Sequence, residues 1–298
     1  MQLGRDLQLQ SAFEITGMKI SIALCALLGF SAGVFADGPG SFTSFDFPGA
    51  TVTTPKGLDS KGEIVGFYKD AAGAMHGFLY SGGQFTSLDV PGAMSTQAAG
   101  INSSGEIAGL YTDSSGSHGF ILSSGQYHTI DMPGAALTNI WGLNGDGELV
   151  GWVGDGKNLH GFMQTEDSGF TTIDFPDAAT TLAFGINCQG RVVGQYTASD
   201  GNTHGFLRNR NGAFLVFDVP GDVNPKVGTQ ARGVNSAGEI VGWFNDNAGV
   251  THGFLRSKAG DFTQIDVPGA AGTSATQIND RGDIVGIYGG AHGFLLTR

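Results

Sequence analysis

The sequence predicts an all-β fold: a six-bladed β-propeller of four-stranded antiparallel blades, its ring closed by an N-terminal strand that joins the last blade. Three observations carry this expectation. Three phrases recur six times each in fixed order, the first of them returns every 42 to 48 residues, and no window shows the i, i+3, i+4, i+7 apolar spacing of an amphipathic helix. Four short strands in a repeat of this length are the mark of a propeller blade. A β-solenoid is the competing architecture, but its coils are usually shorter.

The first phrase reads aromatic-Thr-x-Ile-Asp-x-Pro-Gly-Ala, with its aspartate at Asp46, Asp89, Asp131, Asp174, Asp218 and Asp266. The second, Gly-Ile-Asn-x-x-Gly-Glu-Ile-Val-Gly-x-Tyr, occupies Gly57–Tyr68, Gly100–Tyr111, Gly142–Val153, Gly185–Tyr196, Gly233–Phe244 and Gln277–Tyr288. The third, His-Gly-Phe, starts at His76, His118, His160, His204, His252 and His292. In the second unit the first strand is expected over Thr96–Asn102, and Asn102–Gly105 is a tight turn in which Asn and Gly tolerate positive φ. Glu106–Tyr111, rich in β-branched and aromatic residues, is the second strand. A polar loop at 113–117 leads to a third strand, His118–Leu122. The turn Ser123–Gly125 leads into a fourth, Tyr127–Asp131, which Pro-Gly ends.

The second strand is apolar on both faces, as in Ile64-Val65-Gly66-Phe67-Tyr68, which suits a blade covered by a neighbour on each side. The phase of the repeat predicts closure. An orphan fourth-strand phrase, Phe42–Asp46, opens the repeat region, and the chain ends on a third-strand phrase, His292–Leu296. Pairing them completes the sixth blade and removes the open edges.

Residues 1–36 read as an N-terminal extension and signal peptide, and 37–298 as the propeller domain. Met18-Lys19 precedes the apolar run Ile20–Phe30, and cleavage is expected after Ala36. Asp6 and Glu14 are foreign to a signal sequence, so Met18 competes with Met1 as the start. The run is short for a hydrocarbon core of about 30 Å, so no stable span is expected after cleavage. A secreted or periplasmic, monomeric protein follows. Cys25 lacks the small preceding residue of a lipoprotein site, since Leu24 stands there. Cys188 is then the one thiol left and is expected to sit inert in a turn.

Composition narrows the function classes. Glycine makes up 51 of 298 residues, charged residues only 14%, and hydrophobic residues 40%, which argues against disorder. The formal charge of −12 argues against a nucleic-acid surface or a polybasic membrane patch.

The paired phrases Gly-Ile-Asn-Ser-x-Gly-Glu-Ile-Val-Gly-x-Tyr and His-Gly-Phe resemble those of the bacterial extracellular HAF-repeat family, over Ser41 to Arg298. All six copies here read His-Gly-Phe where the family is named for His-Ala-Phe. The resemblance implies an exported repeat protein and brings no reaction with it.

The residue chemistry points to binding. Six equivalent histidines on third strands stand too far apart to share a metal, so each is expected to bond a polar partner, the Asp of Asp-x-Pro-Gly or the Asn of Gly-Ile-Asn. On that reading His160→Ala leaves a buried partner unpaired and costs about 1–3 kcal/mol. Asn144–Glu148 faintly resembles the start of a calcium loop, and Arg281-Gly282-Asp283 spells an adhesion tripeptide, but both coincide with the ordinary turn. No metal or cofactor is expected, and no nucleophile elbow or phosphate loop occurs.

What remains is the variation laid over the repeat. Just before Gly-Ile-Asn stand Lys56, Ala99, Trp141, Phe184, Arg232 and Thr276; two residues earlier stand Thr54, Gln97, Asn139, Leu182, Gln230 and Ser274. On an innermost strand both sets lie near the axial channel. Lys56, Gln97, Asn139, Trp141, Phe184, Gln230 and Arg232 are therefore the candidate ligand-binding residues. The longest connection, Pro220–Arg232, adds surface to that face. The expected function is a secreted, non-catalytic binding module for an extracellular glycan or exported protein. The alternative is a propeller enzyme, a lyase or glycoside hydrolase, with one asymmetric channel site.

Overall fold

The computed structural model describes residues 34–36, 40–155, 157–222 and 224–298. Most of the expected leader, including its apolar run and Cys25, lies outside the described residues. Its last three residues, Val34–Ala36, form a short strand antiparallel to Ser41–Thr43.

Six antiparallel sheets form a six-bladed propeller. Blade 1 runs Val52–Leu58, Ile64–Lys69, Met75–Ser81 and Gln84–Leu88 from the axis outward. The innermost strands of blades 2 to 6 are Ser95–Ile101, Leu137–Leu143, Thr180–Ile186, Gln230–Val234 and Thr273–Ile278. Closure follows the expected route. Ser41–Phe45 pairs antiparallel with His292–Thr297, in register from Ser41 opposite Thr297 to Phe45 opposite Gly293. Phe42 and Phe45 are buried there, and the Ser44 and Tyr288 hydroxyls are hydrogen-bonded at 2.8 Å.

The core lies in layers between blades. Each layer takes one second-strand residue from the preceding blade: Val65, Ala108, Val150, Val193, Val241 or Val285. That is why the second strand is apolar on both faces. The phenylalanines of the six His-Gly-Phe phrases are at most 1% exposed. At about 1.5–3 kcal/mol for each fully buried side chain, the six together contribute on the order of 10 kcal/mol. The glycine of Val-Gly-x makes room for them. A Cβ on Gly66 would collide with the Thr54 carbonyl oxygen and come within 2.8 Å of the Phe78 ring.

The histidines hold the outer strands. In all six blades His Nδ1 meets the Asp-x-Pro-Gly aspartate, at 2.8–3.0 Å. The partner is the aspartate and not the asparagine. These pairs are half-exposed, with side-chain exposures of 35% for His160 and 46% for Asp174. This corrects the expectation of a buried partner, because water can replace the lost imidazole at the carboxylate. Four histidines also approach a loop carboxylate through Nε2: His76, His118, His160 and His252 face Asp70, Asp113, Asp155 and Asp246 at 3.4–3.9 Å. The hydrogen bond that His118 Nδ1 donates to Asp131, with the nearby Asp131 and Asp113 charges, raises the His118 pKa against the opposing effect of burial. Burial pulls the His252 pKa down, but its bonds to Asp266 and Asp246 outweigh this and raise it.

Candidate functional site

A β-bulge re-aims one side chain on every innermost strand. In blade 1 Pro55 pairs with Gly66 and Gly57 with Val65, so Lys56 is the unpaired extra residue. The same register shift leaves Ala99, Trp141, Phe184, Arg232 and Thr276 unpaired in the other blades. A bulge bends the strand and turns its extra residue out of the ladder. Here that direction is the axis.

The large members of this ring meet. Lys56 Nζ lies 4.9 Å from the Trp141 ring centre, two blades away, and 5.8 Å from that of Phe67. Blade 2, between them, contributes only Ala99, which leaves the gap that Lys56 crosses. Trp141 packs edge-to-face on Phe184, with centroids 5.4 Å apart. The Arg232 guanidinium stacks on Phe184 at 3.8 Å, lies 5.7 Å from Trp243, and donates from Nη2 to Gln230 Oε1 at 2.9 Å. Thr276 is occupied otherwise, donating to the carbonyl oxygens of Pro55 and Val285.

The electrostatics of this cluster are one-sided. Among the described residues no carboxylate pairs with Lys56 or Arg232, and Lys56 Nζ makes no hydrogen bond. Both side chains keep some contact with channel water, but the surrounding protein removes most of their hydration. Burial, with repulsion from Arg232, lowers the Lys56 pKa from 10.5 to about 7. Burial likewise lowers that of Arg232 to about 10. The indole Nε1 atoms of Trp141 and Trp152 are buried without a partner, as is Gln195 Oε1.

One mouth of the channel is built by the Asn-x-x-Gly turns. Each turn glycine has positive φ, from 68° to 89°. Each asparagine accepts backbone N–H bonds within its own turn, as Asn144 does from Asp146 and Glu148. Its Nδ2 also donates to the backbone carbonyl of the next blade's equivalent: Asn102 to Asn144, Asn144 to Asn187, Asn187 to Asn235, Asn235 to Asn279, and Asn279 to Asp59. The circle stops there. Asp59 has no amide to offer Asn102, and its Oδ2 is buried without a partner. A cavity of about 180 Å³ opens inside this mouth, lined by Gly57, Gly100, Leu143, Ile186, Val234 and Gln277 among others. Its floor lies at the residues that follow the bulge ring in sequence. The exposed Cys188 sits on the lip, in its turn as expected, 3.0 Å from Ser236 Oγ.

The second expected set is placed differently. Asn139 is buried, and its Oδ1 accepts from Ser117 Oγ at 2.6 Å. Gln230 is buried between Arg232 and the Val227 carbonyl. Gln97 is half-buried, opposite Leu110. Asn139 thus braces neighbouring blades, while Gln230 orients Arg232. The long connection after Pro220 folds back on blade 4, where the Pro225 carbonyl accepts from Thr203 N and Lys226 Nζ donates to the Asp200 carbonyl. It covers that blade's loop instead of extending the bulge ring. Sequence reasoning missed Phe67, Trp152, Gln195 and Trp243, which share the slot after the second-strand glycine. That slot varies from unit to unit, and the variation was the available signal.

Among the described residues no cluster of three or more His, Cys, Asp or Glu could hold a metal, and no helix is long and apolar enough to cross a membrane. No protein-family profile matches the chain, and no curated protein sequence matches it significantly. Solved structures do. Virginiamycin B lyase from Staphylococcus aureus aligns with a TM-score of 0.53 at 16% identity, covering 90% of this chain and 94% of that one. The Aleuria aurantia lectin, in complex with Fucalpha1-6GlcNAc, gives 0.53 at 12%, covering 80% and 89%. TolB from Acinetobacter baumannii gives 0.56 at 13%, covering 80% and 64%. At these identities the likeness shows the propeller fold alone.

Proposed function

We propose that this chain is an exported, non-catalytic binding propeller of the HAF-repeat kind, acting as a monomer that holds an extracellular glycan or protein at its axial channel. One observation carries the reading. The repeated polar residues are committed to hydrogen bonds inside the scaffold, whereas non-repeated side chains from four blades, Lys56, Trp141, Phe184 and Arg232, converge at the axis. A ligand defined in one orientation needs such an asymmetric set, because six equal environments would offer it six equal poses. Aromatic faces suit sugar rings or apolar side chains, and the two cations suit acid groups. A glycan and polysaccharide array probed with the purified chain tests this: binding is expected that Trp141→Ala weakens. Binding that persists unchanged in Trp141→Ala would move the site off the channel.

A lyase is the second reading, and Lys56 favours it. An amine with a pKa near 7 can accept a proton at neutral pH. With Arg232 neutralising a substrate carboxylate, Lys56 Nζ would take the α-proton while the leaving group departs from the β-carbon, creating a double bond. Ultraviolet absorbance of an unsaturated product from any array hit separates turnover from binding.

A further inference from the structure

We infer that the axial channel holds the carboxylate of a small acidic ligand between Lys56 and Arg232; this deepens the binding reading above and rests on it. The argument begins with what the cluster lacks. Two cations, from blades 1 and 5, are brought into one poorly hydrated space, and no carboxylate of the described residues answers either. A buried charge is ordinarily paired or neutralised, because losing water costs several kcal/mol per ion.

The aromatic rings account for part of the environment but not for its charge. Trp141 and Phe184 each cover one side of a cation, and a cation–π contact contributes only about 0.5–2 kcal/mol. Stacking on Phe184 occupies the face of the Arg232 guanidinium, and Gln230 takes Nη2. The Nε hydrogen, both Nη1 hydrogens and the second Nη2 hydrogen remain free to donate to a carboxylate in the plane of the guanidinium. Lys56 Nζ has all its donors free. The unpartnered Trp141 Nε1 is a second, independent sign, since a buried indole N–H usually finds an acceptor. A carboxylate is acceptor-only and answers the free donors of Lys56 and Trp141, whereas the nearby Gln195 Oε1 is an acceptor that itself lacks a donor.

Size and charge narrow the ligand further. The cavity of about 180 Å³ at the mouth is lined by residues next in sequence to the bulge ring, such as Gly57, Gly100 and Gln277, and not by Lys56 or Arg232 themselves; its size suits a single sugar acid or a similarly small body. Asp59 and Asp280 stand at that mouth, so a polyanion would be repelled there. Lys56, titrating near neutrality beside a fixed Arg232, offers between one and two positive charges, matched by a monoanion. When bound, the carboxylate favours protonated Lys56, so affinity must fall as pH rises through about 7. The groups that set this dependence are Arg232 within the channel and Asp59 and Asp280 at its mouth.

The chain's three tryptophans, Trp141, Trp152 and Trp243, all belong to the bulge ring or to the strand beside it, so indole fluorescence reports on this region. The full chain is titrated with sodium glucuronate and sodium acetate at constant ionic strength, with sodium chloride and glucose as controls. A saturable spectral change is expected for both carboxylates at pH 6, with affinity falling up to about tenfold per pH unit above 7. Lys56→Met should weaken binding at least tenfold at pH 6, and so should Arg232→Met. Lys56→Arg should retain binding and lose the pH dependence, which keeps the test decisive if the methionine variants fold poorly. A response no larger than that to chloride overturns the inference, as does a saturable response that Lys56→Met leaves unchanged. Array binding to a neutral glycan, unaffected by glucuronate, would overturn the acid site while leaving channel binding intact.

Discussion

Asp59→Asn should stabilise this protein. In five blades the mouth residue is asparagine, and its Nδ2 reaches the next blade's backbone carbonyl at 2.9–3.4 Å. In four of them Nδ2 also donates to the carboxylate four residues on, as Asn144 does to Glu148 at 2.8 Å. Asp59 keeps the acceptor half of this pattern, since its Oδ1 accepts from Lys61 N and Glu63 N at 2.8 Å. Its Oδ2 occupies the amide's place, is buried, and has no donor to face. The substitution turns that oxygen into a donor toward the Asn102 carbonyl and Glu63. Relieving an orphaned buried oxygen is worth about 1–3 kcal/mol, and a new hydrogen bond adds about 0.5–1.5 kcal/mol. With incomplete additivity, a gain of about 2 kcal/mol is expected, or roughly 4–8 °C in Tm for a domain of this size. Asn144→Asp is the reciprocal change and should lose at least as much. Paired urea titrations measure both. If Asp59→Asn melts at or below the parent temperature while Asn144→Asp is neutral, the amide circle does not join the blades as argued.

Three further outcomes follow from the same geometry. Deleting Ser41–Phe47 removes the closing strand with buried Phe42 and Phe45, at about 1.5–3 kcal/mol each before ladder bonds are counted, so an unchanged melting temperature would refute closure. His118 and His252 have raised folded-state pKa values, so their ionic contribution is complete below about pH 6.5 and disappears as pH rises through the raised values; His118→Gln should flatten that slope, and a stability profile identical to the parent would dismiss the pairing. Because its pKa is lowered to about 7, Lys56 costs stability at neutral pH and the cost vanishes toward 10.5; Lys56→Met should therefore gain about 2–4 kcal/mol at pH 7 and little at pH 10, and equal gains at both would contradict a charge origin.

The repeat made the scaffold legible, since three phrases in phase gave the blade count, the strand order and the closing strand at Phe42–Asp46. The histidine pairing was half legible: sequence offered Asp or Asn as partner, but exposure depends on how far the third strand lies from the core. The bulge was not legible. Nothing in Thr-Pro-Lys-Gly-Leu marks Lys56 as the unpaired residue, because the register shift arises from how each innermost strand meets its second strand. The position nevertheless stood out because it varied, whereas Asn139 varied equally and proved to brace two blades. Asp59 was visible as a departure from Gly-Ile-Asn, yet its consequence needed the neighbouring blade's carbonyl.

Blade 1 therefore breaks the sixfold pattern twice on one strand, with a cation at Lys56 and a carboxylate at Asp59. Neither break helps the scaffold. Leucine or methionine would fill the channel slot without a desolvated charge, and asparagine would complete the circle at the mouth. Packing alone thus offers no physical reason for either residue. The interblade layers and the closed ring are stable without them, because every histidine pair, every buried His-Gly-Phe phenylalanine and five asparagine bonds lie elsewhere. A scaffold so fully satisfied can tolerate a few unsatisfied groups, and such groups are where a ligand finds partners it does not have to displace. The two breaks also differ in kind. Asp59 faces a backbone carbonyl and repels an anion, whereas Lys56 and Arg232 attract one. In the proposed acid site, an acid group would pass from a repulsive lip at Asp59 and Asp280 to the two cations beyond it, an arrangement that suits one small charge carried on a neutral body. The same gradient disfavours a polyanion, whose remaining charges would stay beside Asp59 and Asp280.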